Sequence, residues 1–363
     1  MTRHFFSEGS QERYSQARFD AIRTIGRVAE DEECQFVLVC GDAFESNQVD
    51  RTTVARALEA LKDVPVPVFI LPGNHDPLDA ASVYHSSTFV ERKPEQVHVI
   101  ESPDPLVVSD GIELVGAPWL SKRPVANPIH EALSALAPAT GITRICAGHG
   151  MADSLAPDRA AAGVIEIEAL ERAIGEDKVH FVALGDRHSL TEVGNSGRIW
   201  YAGTPEPTDF SETASGCVLV AEIDDGVATT REARTGQWQF IERRRVDVNS
   251  DEDVEALRRW LEGIQSKERT VIRLHLVGSV SLSARVGLET CLSDVKDIFG
   301  AFDVRETDLL VVPDNADFAD LRFSGFADAT VHRLRAKIEE GGDRASLARD
   351  ALMLLLRLAE ETK

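Results

Sequence analysis

The residues of this chain best suited to chemistry lie in four short stretches: Gly41-Asp42, Gly73-Asn74-His75-Asp76, Gly148-His149 and Gly185-Asp186-Arg187-His188. Each closes an apolar run, namely Phe36-Val37-Leu38-Val39-Cys40, Val66 to Leu71, Thr143-Arg144-Ile145-Cys146-Ala147 and Phe181-Val182-Ala183-Leu184. The carboxylate of Asp42 can bridge two cations and Asn74 offers a neutral amide oxygen. His75 offers an imidazole able to protonate a leaving alkoxide. His149, Asp186 and His188 add two imidazoles and a second carboxylate. Any one of these clusters alone is an ordinary strand-terminating turn. Four in succession point to strands that deliver ligands at their carboxyl ends to divalent cations.

The order of these motifs resembles that of the calcineurin-like metallophosphoesterases: D-x-H, GD, GNH(D/E), GH and GHxH. Two departures stand out. The chain opens Met1-Thr2-Arg3-His4-Phe5-Phe6 and passes straight into the polar stretch Ser7 to Arg13, so a first strand carrying D-x-H has no counterpart. Asp186 stands where the family has the first His of its last motif, and Asp is itself a competent hard-oxygen ligand. A second signature narrows the resemblance. Trp200-Tyr201-Ala202-Gly203-Thr204-Pro205-Glu206-Pro207-Thr208-Asp209-Phe210-Ser211-Glu212, followed by Gly216-Cys217-Val218-Leu219-Val220, is similar to the Y-x-G-S-P-x-x-x-x-F-x-E segment of SbcD-type DNA double-strand-break repair nucleases. Read without that likeness, the segment is a strand, a Pro-rich turn and another strand. The resemblance covers the first two thirds of the chain; beyond Val246 it rests on architecture.

The resemblance implies an α/β fold: a four-layer α/β/β/α metallophosphoesterase sandwich over residues 1–246, lacking its first strand, a small α/β capping domain over 247–312, and a linker with C-terminal docking helices over 313–363. It implies a metal-dependent DNA exonuclease or endonuclease with a dinuclear manganese site, magnesium being the other cation suited to it. Asp42 would bridge two ions about 3.5–4 Å apart. Asn74, His149 and Asp186 would hold the second ion and His188 the first. In-line attack on phosphorus would follow, His75 protonating the leaving oxygen and Asp76 orienting His75. Arg187 is a candidate for neutralising transition-state charge, or a plain surface arginine. The implied partners are DNA and an SbcC-type ABC ATPase, with a homodimer inside a heterotetramer in a cytoplasmic DNA repair and recombination complex. Two alternatives stay open: a catalytically impaired scaffold for the ATPase, and a small-molecule phosphodiesterase or protein phosphatase of the same superfamily.

Periodicity supplies the elements that must position these groups. Asp20 to Glu30 is amphipathic at helical spacing, and a helix with Val54, Leu58 and Leu61 on one face leads into the run before Gly73. Val97 to Ile100, Leu106 to Ser109 and Ile112 to Val115 read as strands, with Asp110-Gly111 marking a hairpin. Ile199 to Ala202, Val218 to Ile223 and Trp238 to Val248 continue the sheets. Past Asn249, Asp251-Glu252-Asp253 caps a helix. The strand Val271 to Val277, a helix over Ser283 to Ile298 and a strand near Ala301 to Arg305 complete a small α/β unit. Pro313-Asp314-Asn315 marks a linker. The helices Ala327 to Glu340 and Arg344 to Glu361 follow, the second carrying an apolar stripe through Leu347, Ala351, Leu354, Leu355 and Leu358, widened by Leu352, Met353 and Leu356.

The chain has 363 residues, room for a catalytic domain and one smaller domain. Five scattered cysteines without C-x-x-C pairing read as free thiols in a reducing compartment. No signal-peptide pattern or bilayer-length apolar run is present, so no membrane association is expected. With 61 acidic against 39 basic residues the net charge is -22. Bulk electrostatics therefore oppose nucleic-acid binding, and a partner is expected to supply basic surface.

Overall fold

The apolar runs that close on the metal-type residues are strands covered on both faces. In the computed structural model, which describes residues 5–161, 163–224, 226–312 and 325–360, strand β1 (Val37–Cys40) pairs in parallel with β2 (Val68–Leu71) and β2 with β3 (Val97–Val99). Val37, Val39, Val68 and Ile70 face helices α1 (Glu8–Asp31), α2 (Arg51–Leu61) and α3 (Ser87–Arg92), meeting Ile22, Leu58 and Phe89. Leu38, Cys40, Phe69 and Leu71 alternate to the opposite face and pack on Leu114, Ile145, Ala147 and Phe181 of a second sheet. Side chains of a strand alternate between faces, so double burial produces an unbroken apolar run.

The second sheet is formed by β4 (Leu106–Ser109), β5 (Ile112–Gly116), β6 (Thr143–His149), β7 (Phe181–Gly185), β8 (Thr191–Glu192) and β9 (Ile199–Tyr201), in the order β4-β5-β6-β7-β9-β8. Strands β4 and β5 form the expected antiparallel hairpin. The outer face of this sheet, with Val115, Cys146, Val182 and Ile199, is covered by Ile129 and Leu133 of α4 (Pro128–Ser134) and by Leu170 and Ile174 of α5 (Ile167–Gly175). The layering is the α/β/β/α sandwich that the motif order implies. A separate hairpin, β10 (Cys217–Asp224) with β11 (Val227–Arg234), adds Leu219, Ile223 and Ala228 to the core between the sheets.

Helix α1 starts well before the amphipathic stretch at Asp20. Ser7 caps it by accepting from the Ser10 N–H, and the buried Tyr14 donates its hydroxyl to the Pro207 carbonyl at 2.7 Å. Tyr14 also lies edge-on to Trp238, in an aromatic group with Phe6. Residues Glu8 to Arg13 are therefore helical despite their polarity, with Ser7 as the cap.

The chain divides into units Met1–Phe240 and Ile241–Lys363. In the second unit, β12 (Gln239–Asp247), β13 (Thr270–Val280) and β14 (Ala301–Val311) form a three-stranded sheet. Within the run Trp238 to Val248, Gln239–Asp247 thus belongs to this sheet and does not extend the sandwich, while Trp238 stays with Tyr14. Helices α6 (Asp251–Gly263) and α7 (Leu282–Lys296) cover one face, burying Leu257, Leu261 and Leu288 against Ile272, Leu274 and Leu276. The cap of α6 is Ser250, in a capping box with Asp253.

The terminal helices α8 (Phe326–Glu340) and α9 (Asp343–Glu360) pack on the same unit. Leu352 is fully buried with Leu282 and Val331, flanked by Leu334, Ile338 and Leu355, and Ala345 and Ala348 are buried along the same side. The expected apolar stripe is therefore split. Leu355 turns inward, whereas Leu347 and Leu354 are 69% and 60% exposed and Ala351 is exposed with them. The side chains of Met353, Leu356 and Leu358, and the segment Pro313-Asp314-Asn315, lie outside the described residues. Among the described residues no helix is long and apolar enough to cross a membrane.

Candidate metal centre

Two parallel pairs, β1 with β2 and β6 with β7, carry the polar groups at their carboxyl ends: His149 closes β6, and the others stand in the turns after β1, β2 and β7. Two of these residues, Asp42 and Asp186, have φ of 55° and 93°, the left-handed region that residues bearing a Cβ rarely adopt. Such strain gathers at functional sites. Two glycines make the close approach feasible: a Cβ on Gly41 would overlap the His149 ring, and one on Gly185 would overlap the Cys40 carbonyl.

His149 sits fully buried at the centre of the cluster. Its Nδ1 lies 2.8 Å from the Cys40 carbonyl oxygen, which only accepts, so Nδ1 carries the proton and the neutral ring presents a bare Nε2. That nitrogen faces the Asn74 Oδ1 at 2.9 Å, the Asp42 Oδ2 at 3.4 Å and the Asp186 Oδ1 at 3.8 Å. A lone pair aimed at three oxygens is repulsive unless a proton or a cation lies among them. Ligand atoms of Asp42, His149 and Asp186 all fall within 4.8 Å of one another. One imidazole nitrogen with two carboxylates and an amide oxygen fits a divalent cation of hard to intermediate character.

The electrostatics carry the same mark. For Asp186, burial above all, reinforced by the charge of Asp42, holds the carboxyl above its usual range. For Asp42, burial acts upward, but the hydrogen bond and charge of His149 outweigh it and hold the carboxyl low. His149 is raised: burial disfavours its cation, and Asp42, the Cys40 carbonyl and Asp186 more than offset that. The buried Cys146 thiol behind the site is pushed up to about 12 by burial.

The remaining sequence-predicted residues take other positions. His75 is exposed; its backbone N–H donates to the Asp42 Oδ1 at 2.9 Å, and its Nδ1 lies 3.0 Å from the Glu45 carbonyl oxygen. Asp76 does not orient His75. Its fully buried carboxylate accepts instead from the backbone N–H groups of Gly73, Asp42 and Phe44 and from the Tyr84 hydroxyl at 2.6 Å. His188 lies outside the three-residue cluster, and its Nδ1 meets the Glu212 Oε1 at 2.8 Å and the Thr208 Oγ1 at 2.9 Å. Arg187 is half-buried and donates from Nε to the Thr191 hydroxyl at 2.7 Å.

Several supporting residues carry no motif of their own. The Trp119 indole N–H and the Asn127 amide both donate to the His149 carbonyl, at 2.9 and 2.8 Å, fixing the end of β6. Tyr84 holds Asp76. Glu212, inside the Tyr201 to Glu212 signature, accepts from the Thr208 N–H at 2.8 Å and raises the His188 pKa through its hydrogen bond. Its position in the signature was the only sequence trace of that role.

Residues 15–189 match the calcineurin-like phosphoesterase family, so this part of the chain is similar to a calcineurin-like metallophosphoesterase domain. Proteins of that family bind divalent metals, and the four strand ends supply the place for one. Among solved structures, the crystal structure of TT1561 of Thermus thermophilus is similar at 11% identity and a TM-score of 0.38, over 60% of this chain and 94% of that one. That likeness is too slight to carry function. A search of curated proteins finds no match.

Proposed function

We propose that the chain is a manganese-dependent DNA nuclease subunit of an SbcCD-like repair complex, hydrolysing phosphodiester bonds at the Asp42, Asn74, His149 and Asp186 cluster. The observation that carries phosphoester hydrolysis is the bare Nε2 of His149 facing three oxygens at the ends of parallel strands. The nuclease reading draws support from the Tyr201 to Glu212 signature, whose Glu212 and Thr208 hold His188 beside the cluster.

A bound divalent cation would neutralise phosphate charge and make water nucleophilic near neutral pH. The chain's own groups do the rest. Asp42 and Asp186 hold negative charge where the cation is needed, and the Cys40 carbonyl fixes the His149 tautomer. His75 stands at the rim with Nδ1 against the Glu45 carbonyl, which leaves Nε2 directed away from that bond and available for proton transfer to a leaving oxygen. The docking partner is an SbcC-type ABC ATPase, engaged through the exposed side of α9.

Hydrolysis of linear DNA with manganese tests this reading, using wild type and His75→Ala. Turnover should fall by about 100-fold or more in the variant while the metal content is kept. Full nuclease activity in His75→Ala would remove that residue from proton transfer. Metal binding without hydrolysis of any phosphoester in the wild type would favour the scaffold reading.

A further inference from the structure

The loop from Leu120 to Ala126 has both of its feet on the backbone carbonyl of His149, a residue of the candidate metal centre. At its start, the Trp119 indole N–H donates to the His149 carbonyl at 2.9 Å; at its end, the Asn127 amide donates to the same oxygen at 2.8 Å. Both anchors are buried, at 5% and 2% exposure. The first is tied further, since the Trp119 N–H donates to the Pro72 carbonyl at 3.1 Å and its carbonyl accepts from Leu78 at 2.8 Å, bracketing Gly73 to Asp76. Asn127 also donates to the Gly163 carbonyl and caps α4 by accepting from the Ile129 N–H.

Between these anchors the residues face outward. Leu120 is 63% and Val125 97% exposed, apolar surface that the fold of this unit leaves unused. Lys122 and Arg123 are exposed, and among the described residues neither side chain forms an ion pair or hydrogen bond. In a chain of net charge -22, two adjacent unpaired cations beside an anion-processing site are out of keeping with the surroundings. Trp119 and Asn127 tie the two ends of their loop to the backbone of His149.

We infer that this loop is the element that selects a polymeric phosphodiester over a small one: Lys122 and Arg123 take phosphates neighbouring the scissile one, and Leu120 and Val125 lie against sugar or base faces. The inference rests on the phosphodiesterase reading and deepens it. A small diester has no second phosphate to reach these cations, so the loop contributes to strand substrates selectively.

The test uses the full chain carrying Lys122→Glu and Arg123→Glu together. The ratio of kcat/KM on a single-stranded oligodeoxynucleotide to that on bis(p-nitrophenyl) phosphate should drop by about tenfold or more. The loss should fall in KM, and the conservative pair Lys122→Arg and Arg123→Lys should restore it. Independently of catalysis, fluorescence anisotropy of the labelled strand with the chelated protein should show weaker binding. The slope of log affinity against log salt should be shallower by about 1.4, the value for two single-strand phosphate contacts. A ratio kept within about twofold, or an equal loss on both substrates, overturns the inference. If the wild type hydrolyses neither substrate, the phosphodiesterase reading fails. The anisotropy series still decides the loop's role: an unchanged salt slope sinks it.

Discussion

The chemistry at His149 turns on which of its nitrogens is free. Because Nδ1 donates to the Cys40 carbonyl, a cation must take Nε2, and a proton competes for the same lone pair. The ionisation of His149 lies above the ordinary histidine value, since Asp42, the Cys40 carbonyl and Asp186 together outweigh burial. A raised pKa means that the proton is taken up earlier as pH falls. Metal affinity should therefore begin to decline above the usual histidine range and then drop by up to about tenfold per pH unit. Calorimetric titration with manganese across this range checks it; a flat affinity would show that Nε2 is not a ligand. The same titration should find one tight ion per chain, because among the described residues Asp42, His149 and Asp186 make the one three-ligand cluster and His188 stands outside it. Two equally tight ions would require ligands beyond this set. His149→Ala should abolish the tight ion.

At the scale of elements, Asp76 shows how a turn is held. One oxygen accepts from Gly73 and Asp42 and the other from Phe44 and Tyr84, so a single buried carboxylate ties the turn after β2 to the turn after β1. Its removal leaves buried N–H groups without acceptors. Asp76→Ala should cost about 3 kcal/mol or more in denaturant unfolding, and Tyr84→Phe about 1–2 kcal/mol. A variant that keeps full stability and changes only the pH profile of activity would restore the role of orienting His75. The strands around this turn were legible in the sequence because both faces are apolar, and the turns because glycine precedes each polar group. Other features were not legible. The first turns of α1 are fixed by Tyr14, which reaches Pro207 far along the chain, a contact that no local pattern encodes. The alternation of β12 suits either sheet, and only the packing of Ile241 and Val246 on the second core decides its place. Asp76 is named by the motif, but its partners depend on how two turns meet.

For the whole molecule, the acidic balance and the terminal helices pose the question of partnership. A net charge of -22 weakens any hold on DNA by bulk attraction, which suits a chain that works beside a basic partner. Helix α9 is apolar on more than one side, so its sequence could not tell which side is core. Contact with Leu282, Val311 and Val331 turns Leu352 and Leu355 inward and leaves Leu347 and Leu354 outward. The two sides should therefore respond differently to charge. Leu352→Glu buries an unpaired carboxylate and should loosen α8 and α9, with a cost of several kcal/mol in thermal or denaturant unfolding. Leu347→Glu with Leu354→Glu should leave the unfolding curve in place and remove binding to an SbcC-type ATPase. Deep burial of each leucine at an interface contributes about 1.5–3 kcal/mol, so losing both weakens a complex by about two orders of magnitude or more. Co-purification and sedimentation of the two proteins read the result. Unaltered binding by the double variant would place the ATPase contact elsewhere, and unfolding by it would make the outward leucines part of the core.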